Sequence, residues 1–238
     1  MIEFVRYREQ HASWLFRRFL LCFAFSLSSP ANAGDMPSGC DYRGIAQAIT
    51  TSQIQKAYSM SIECENALLK HQSKSFAEPM LRSQYLATAQ ILTAQGKFDT
   101  ARDRISKAEG LARNFLIADE ELENFTRGFL LERSGRVDEA VIFYLTQPYA
   151  EERLAIIYLD RNQVTAANDA ARAVLKVSPT NSTALVVLGA LMEKTNPSQA
   201  LVQYKSAISS ASVGNPSMMP LRYLELPRAS AGIARLRN

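Results

Sequence analysis

The segments GKFDTA (96–101), GRVDEA (135–140), NQVTAA (162–167) and NPSQA (196–200) decide the fold of this 238-residue chain. Each begins with residues suited to a tight turn and continues into a helix that carries alanine on its packing face. The final alanines lie 39, 27 and 33 residues apart, so the average interval is that of a two-helix repeat. The pattern predicts an all-α array of helical hairpins, each packed on the next.

These hairpins resemble the tetratricopeptide repeat. That family has Leu-Gly or Leu-Ala and then an aromatic residue on its first helix, followed by Ala, an aromatic residue and Ala on its second helix and Pro at the end. The matching residues are Leu154, Ala155, Tyr158, Ala167 and Pro179 in one hairpin, and Leu188, Gly189, Ala200, Tyr204 and Ala207 in another. The resemblance covers residues 82–210 and implies a helical-hairpin solenoid of about four repeats that binds a protein or peptide.

The array is uneven. The first interval between the alanines is long at 39 residues, and the second, which contains Pro148, is short at 27 residues, so that together they equal two average intervals. We expect Gly128 to let the two helices of the second hairpin approach closely, since glycine has no side chain to hold them apart. The tryptophan typical of the family's first helix is absent from the hairpins. An irregular all-α array of a related kind is the alternative, because several solenoid families obey the same packing rules.

The chain divides into four predicted regions. Residues 1–33 are a signal peptide, 34–77 an N-terminal linker with helices, 78–210 the repeat array, and 211–238 a C-terminal cap or flexible tail. Within the second region, residues 50–52 suggest a break between two helices, and Pro79 is expected at the start of the next helix.

The first 33 residues have the three parts of a secretory signal. Four arginines precede an apolar run at 19–27, and Ala31-Asn32-Ala33 is a small-residue cleavage site. We therefore predict cleavage after Ala33 and a periplasmic or secreted protein; an uncleaved membrane anchor is the alternative, although the apolar run is short for a bilayer span. Without this segment 23 basic and 21 acidic residues remain, a balance that gives no reason to expect nucleic acid as a partner.

Two cysteines, Cys40 and Cys64, lie outside the signal segment. In an exported protein such a pair favours a disulfide, which would hold the linker on the first helices. Two alternatives stay open: both thiols are free, or Cys40 is a lipidated N-terminus, for which Ser38 and Gly39 provide small neighbours.

Few residues suit catalysis. His71 is the one histidine beyond the signal segment, which is too few for a histidine metal site, and no glycine-rich phosphate loop occurs. Acidic residues cluster at 119–123 and 151–152, where they suit helix starts in water better than a catalytic pair. We therefore expect no enzyme activity, no cofactor and no metal, and an enzyme that uses these carboxylates is a distant third hypothesis.

The first helices of the hairpins are expected to line a largely apolar, concave groove with acidic residues at one edge. An apolar groove suits an amphipathic helix or an extended apolar peptide. The alternative is that these side chains are core, covered by the next hairpin or by residues 221–236. The predicted groove residues are Leu86, Gln90, Phe125, Phe129, Glu132, Tyr149, Glu152, Ile156, Leu159, Val186 and Glu193.

The sequence thus predicts an exported, periplasmic scaffold or adaptor that binds a protein or peptide and has no catalysis of its own. The second hypothesis is a membrane-tethered accessory factor of a bacterial envelope secretion or pilus machine. It requires a lipid on Cys40 or an uncleaved signal.

Overall fold

Helices follow one another along the whole described part of the protein, and no strand occurs there. The structure is a computed structural model that describes residues 37–111, 117–147, 150–213 and 221–237, all within the unit Pro37–Asn238. The predicted signal peptide lies outside the described residues. The prediction of an all-α fold is confirmed for the described residues.

The helices are short to medium in length and are numbered here in chain order. They are α1 (Tyr42–Thr50), α2 (Ile54–Leu69), α3 (Lys74–Ala94), α4 (Phe98–Glu109), α5 (Ile117–Arg133), α6 (Val137–Leu145), α7 (Glu151–Asp160), α8 (Val164–Val177), α9 (Ser182–Met192), α10 (Pro197–Val213), α11 (Leu221–Leu224) and α12 (Leu226–Arg235). The break expected at residues 50–52 is present between α1 and α2. The start expected at Pro79 is wrong, because α3 begins at Lys74 and includes this proline, which leaves the Ser75 carbonyl without an intrahelical donor.

Consecutive helices pack in pairs. The pairs are α3 with α4, α5 with α6, α7 with α8, and α9 with α10, while α1 and α2 pack onto each other and α2 packs onto α3. The first members of neighbouring pairs also meet, since α3 contacts α5 and α7 contacts α9.

Three of the four expected turns share one backbone geometry. Gly96, Gly135 and Asn162 have φ values of 74°, 86° and 56°, in the left-handed region that Gly and Asn reach at least cost. At each turn the following residue donates its N–H to the carbonyl five positions back, as Lys97 does to Leu92 at 2.9 Å. This Schellman motif ends α3, α5 and α7 identically and reverses the chain within three residues.

The fourth expected turn is built differently. Asn196 accepts a hydrogen bond from the Gln199 N–H at 3.2 Å and so satisfies one free donor at the start of α10. A capping side chain replaces the left-handed residue here.

Glycine–tyrosine contacts set the spacing inside two pairs. A Cβ on Gly128 would stand 2.6 Å from Cζ of Tyr144, and a Cβ on Gly189 would stand 2.7 Å from Cδ1 of Tyr204. Both distances are far below carbon–carbon contact. The rings of Tyr144 and Tyr204 therefore lie directly on the backbone of α5 and α9, as expected for Gly128.

Replacing Gly128 by alanine is expected to destabilise the protein by about 1–3 kcal/mol, because the methyl group overlaps the Tyr144 ring. A loss of stability in this variant would be informative, because alanine in a helix interior is otherwise about 1 kcal/mol more stabilising than glycine. Urea unfolding followed by circular dichroism measures the change. Gly110→Ala is the matched control, because its Cβ would meet nothing closer than 3.5 Å, and it should be neutral or stabilising. Equal stability gains in both variants would contradict the close packing.

The sulfur atoms of Cys40 and Cys64 lie within bonding distance and form a disulfide. The Cys64 side chain is fully buried among apolar residues of α2, α3 and α4. The predicted pairing is confirmed, and it fastens the start of α1 to the middle of α2.

Residues 221–237 pack against three earlier helices. Helix α11 contacts α1 and α9, and α12 contacts α9 and α10. Tyr223, Leu226 and Ala229 are buried, and the Tyr204 ring lies between Gly189 and Gly232. The described part of the C-terminal region thus packs on the helices that precede it, through contacts with α1, α9 and α10.

Candidate functional site

The residues predicted to line the groove are mostly buried. Seven of them, Leu86, Gln90, Phe125, Phe129, Glu152, Ile156 and Val186, are at most 8% exposed, while Glu132, Leu159 and Glu193 are partly exposed. Tyr149 lies outside the described residues. The burial agrees with the alternative that these side chains are core.

The buried members do not form one surface. Leu86 belongs to a cluster with α2 and α4, Ile156 to one with α8, and Val186 to one with α1 and the C-terminal segment. Gln90 donates to the Thr126 hydroxyl at 2.8 Å and joins α3 to α5. The structure brings Phe125 and Phe129 into one cluster, and Phe129 and Glu132 both contact a charge that sequence reasoning missed.

That charge is Arg153 of α7, which is 1% exposed. Its Nε and Nη2 donate to the two carboxylate oxygens of Glu132 on α5, at 3.2 and 2.6 Å. The guanidinium carbon lies 5.2 Å from the centre of the Phe129 ring, within the range of a cation–π contact. The fork and the ring fix the plane of the guanidinium.

The remaining nitrogen of Arg153 faces the C-terminal segment. Nη1 donates to Oε1 of Glu225 at 2.9 Å, across 72 positions of sequence. Glu225 also accepts from Arg228, and Arg228 binds both carboxylate oxygens of Asp160 at 2.6 and 2.9 Å. We call these five residues, Glu132, Arg153, Glu225, Arg228 and Asp160, the Arg153 network.

Apolar contacts flank the Arg153 network on the C-terminal segment. Leu224 packs against the cluster that contains Phe125 and Phe129. Tyr223 and Leu226 belong to the buried cluster that α1, α3, α9 and α10 share. Residues 223–226 thus lie against the helices predicted to form the groove. In this segment the acid Glu225 is flanked by the apolar side chains of Tyr223, Leu224 and Leu226.

Arg153 keeps its charge in this setting. Burial alone lowers the pKa of the guanidinium, but the carboxylates of Glu132 and Glu225 more than offset this and raise its pKa well above the usual value. A buried charge is expensive to leave unpaired, and the partners of Arg153 come from α5 and from the residue between α11 and α12. The site can therefore hold a carboxylate in place.

A second ion pair fastens α12. Glu193 accepts from the Tyr204 hydroxyl and from Nη2 of Arg235, each at 2.5 Å. The hydrogen bond from Arg235 lowers the pKa of Glu193 most, partial burial raises it, and the bond from Tyr204 lowers it further, so that the net pKa lies below 4.5.

This pair predicts an acid-dependent contribution to stability. Because folding lowers the pKa of Glu193, the contribution is complete above pH 4.5 and is lost as the pH falls through the lowered value. The free energy of unfolding of wild type should exceed that of Glu193→Gln by up to about 1 kcal/mol at pH 6, a modest figure because the pair is partly exposed, and the difference should be smaller at pH 3. Urea unfolding at both pH values measures the difference. A difference unchanged at pH 3 would contradict the linkage.

The residues considered for chemistry have structural contacts. His71 Nδ1 accepts the Ser73 N–H at 3.2 Å in the turn between α2 and α3. Glu123 pairs with Arg82 and Arg127, and Glu152 accepts from Asn181 at 2.6 Å. Among the described residues no group of three His, Cys, Asp or Glu side chains is placed to hold a metal, and no helix there has the length and apolarity to cross a membrane.

Sequence reasoning did not single out Arg153, Glu225 or Arg228. The contacts of Arg153 with Glu132 and Glu225, and of Arg228 with Asp160, join positions 21 to 72 apart, which no spacing rule links. Two local signals were present: an arginine directly before Leu154-Ala155, the pair that the family resemblance places on the packing face, and the three-position spacing of Glu225 and Arg228.

Comparison with known proteins adds no relative to this description. The chain matches no protein family, no curated protein and no solved structure. Its function is therefore inferred from its own residues.

Proposed function

We propose that this protein is an exported, tetratricopeptide-like scaffold that binds a protein or peptide through the side formed by α3, α5, α7 and α9, without catalysis of its own. The recurring hairpin supports this most directly: three Schellman turns and two glycine–tyrosine contacts repeat one packing solution along the chain. Stacked hairpins of this kind present an extended surface whose packing residues are independent of the partner.

The disulfide supports the exported location. Disulfides persist in oxidising compartments and are rare in the cytosol. Together with the signal-like residues 1–33, the Cys40–Cys64 bond favours a periplasmic or secreted protein that begins at Gly34. The mass of the purified protein should correspond to a chain that begins at Gly34. It should lie 2 Da below the mass of the same chain with both cysteines reduced. A mass that includes Met1 would contradict processing.

The disulfide also bears on the second hypothesis. A lipid anchor on Cys40 uses the same sulfur atom that the structure bonds to Cys64. The untethered scaffold is therefore favoured over a lipid-anchored accessory factor of an envelope machine.

Site-specific crosslinking in intact cells tests the binding side. A photoreactive residue at Leu159, at the partly exposed end of α7, should crosslink to a partner. The matched control is Val202 on α10, which is 52% exposed and lies on a second helix of a pair. The same crosslinked species from both positions, or none from Leu159, would contradict binding on the proposed side.

A further inference from the structure

We propose that residues 223–228 are a built-in ligand of this scaffold and that the place they occupy accepts an acidic peptide segment from a partner, with Arg153 binding the carboxylate. The inference rests on the proposed binding function and names the chemistry of the partner. The partner segment has Glu or Asp with large apolar residues on both sides, as in Tyr223-Leu224-Glu225-Leu226.

Arg153 is arranged as a carboxylate receptor. Glu132 holds Nε and Nη2 in a fork, and Phe129 covers the guanidinium face, so Nη1 is left to point at the C-terminal segment. A donor fixed in advance loses little freedom when it binds an acid. Replacement of the acid by lysine would bring two cations together in a buried place, which gives the site its selectivity.

The apolar residues on either side of Glu225 define the rest of the sequence expected in the partner segment. Leu224 packs on the cluster of Phe125 and Phe129, while Tyr223 and Leu226 join the cluster that contains Ile91 and Val186. The segment therefore touches buried clusters to which α3, α5, α7 and α9 all contribute. A partner segment must bring apolar side chains with the acid, because the acid alone fills none of these positions.

The outer fastening of the segment is weak. Arg228 and Asp160 are 39% and 50% exposed, and exposed pairs contribute little to stability. Because residues 223–228 belong to the same chain, they occupy the site at a high effective concentration and exclude a free peptide of equal affinity. Binding of a partner is thus expected to need either a tighter segment or a loosened C-terminal segment.

A peptide added to the full-length protein tests this. The probe is a fluorescein-labelled peptide of residues 220–232, measured by fluorescence anisotropy against wild type and against the variant Leu224→Ala/Arg228→Ala. The variant weakens the resident segment and leaves Arg153, Glu132 and Phe129 unchanged. We expect weak binding to wild type and at least about tenfold tighter binding to the variant.

Two controls make the outcome decisive. The same peptide with lysine in place of the glutamate should bind at least about tenfold more weakly than the original. Arg228→Ala alone removes the pair with Asp160 and the contact with Glu225 but leaves Arg153 in place. It should retain the wild-type circular dichroism spectrum and bind the peptide about twofold to fivefold tighter than wild type, and it replaces the double variant if that variant does not fold. Equal binding of the lysine peptide, or no binding of the original to any folded variant, would overturn the proposal.

The peptide experiment can fail without contradicting the proposed scaffold function. If Leu159 crosslinks a partner but the peptide binds no variant, the scaffold function is supported and the proposal of a built-in ligand is wrong. If hydrogen exchange in residues 223–228 is as slow as in α9 in every variant, the segment is a permanent part of the core and the proposal fails.

Discussion

Replacing Arg153 by methionine should lower the free energy of unfolding by about 3–5 kcal/mol. The variant keeps a long apolar side chain but leaves the carboxylates of Glu132 and Glu225 without the cation that both of them bind. Truncating one partner of a buried pair costs far more than the net value of the pair, because the remaining charge is not solvated. Urea unfolding of the disulfide-bonded protein measures the loss.

Two comparisons identify the cause of that loss. Arg161→Met removes an ion pair with Asp138 that is largely exposed, so it should cost no more than about 1 kcal/mol. The triple variant Arg153→Met/Glu132→Gln/Glu225→Leu removes all three charges together and should recover most of the stability lost by Arg153→Met. If the triple variant is less stable than the single one, the deficit does not come from uncompensated charge.

Removing the disulfide by Cys40→Ser/Cys64→Ser should cost about 3 kcal/mol, the chain-entropy value for a loop of this size. The closed loop spans 24 positions and fastens α1, whose Ile45 and Ile49 are buried in the cluster that holds Tyr223 and Leu226. Loss of the bond should therefore speed hydrogen exchange in α1 and in residues 223–226 together. Mass-resolved hydrogen exchange, with and without the bond, measures both.

The control for this prediction is reduction of the wild-type protein. Dithiothreitol should shift wild type to the stability of the double-serine variant and leave that variant unchanged. Faster exchange confined to residues 37–42, with the C-terminal segment unaffected, would contradict the coupling between α1 and α11.

The sequence predicted the local features well because they depend on neighbouring residues. Gly and Asn adopt the left-handed conformation at least cost, and the turns that end α3, α5 and α7 occur at Gly96, Gly135 and Asn162. The close approach at Gly128 was likewise predictable, since a glycine on a packing face leaves room for an aromatic ring. The predicted start of α3 at Pro79 was wrong, because a helix tolerates one missing hydrogen bond when its other contacts stabilise it.

The site was less predictable because it depends on how residues 221–237 pack against helices that are distant in the sequence. The spacing that selected Phe125, Phe129 and Glu132 identifies residues on the first helices of the pairs, but it does not tell whether another segment covers them. Only the structure shows that Glu225 reaches Arg153. Burial of the predicted groove is thus a property of the C-terminal segment as much as of the helices.

The contact between α1 and α11 has a consequence for the order of folding. The first described helix buries Ile45 and Ile49 in a cluster completed by residues near the other end of the chain, about 175 positions away. Until residues 223–226 are synthesised and packed, part of the apolar face of α1 is exposed to water. Chains that stop before residue 221 should therefore be cleaved by added protease faster than the full-length protein, which should become resistant only once α1 and α11 are in contact.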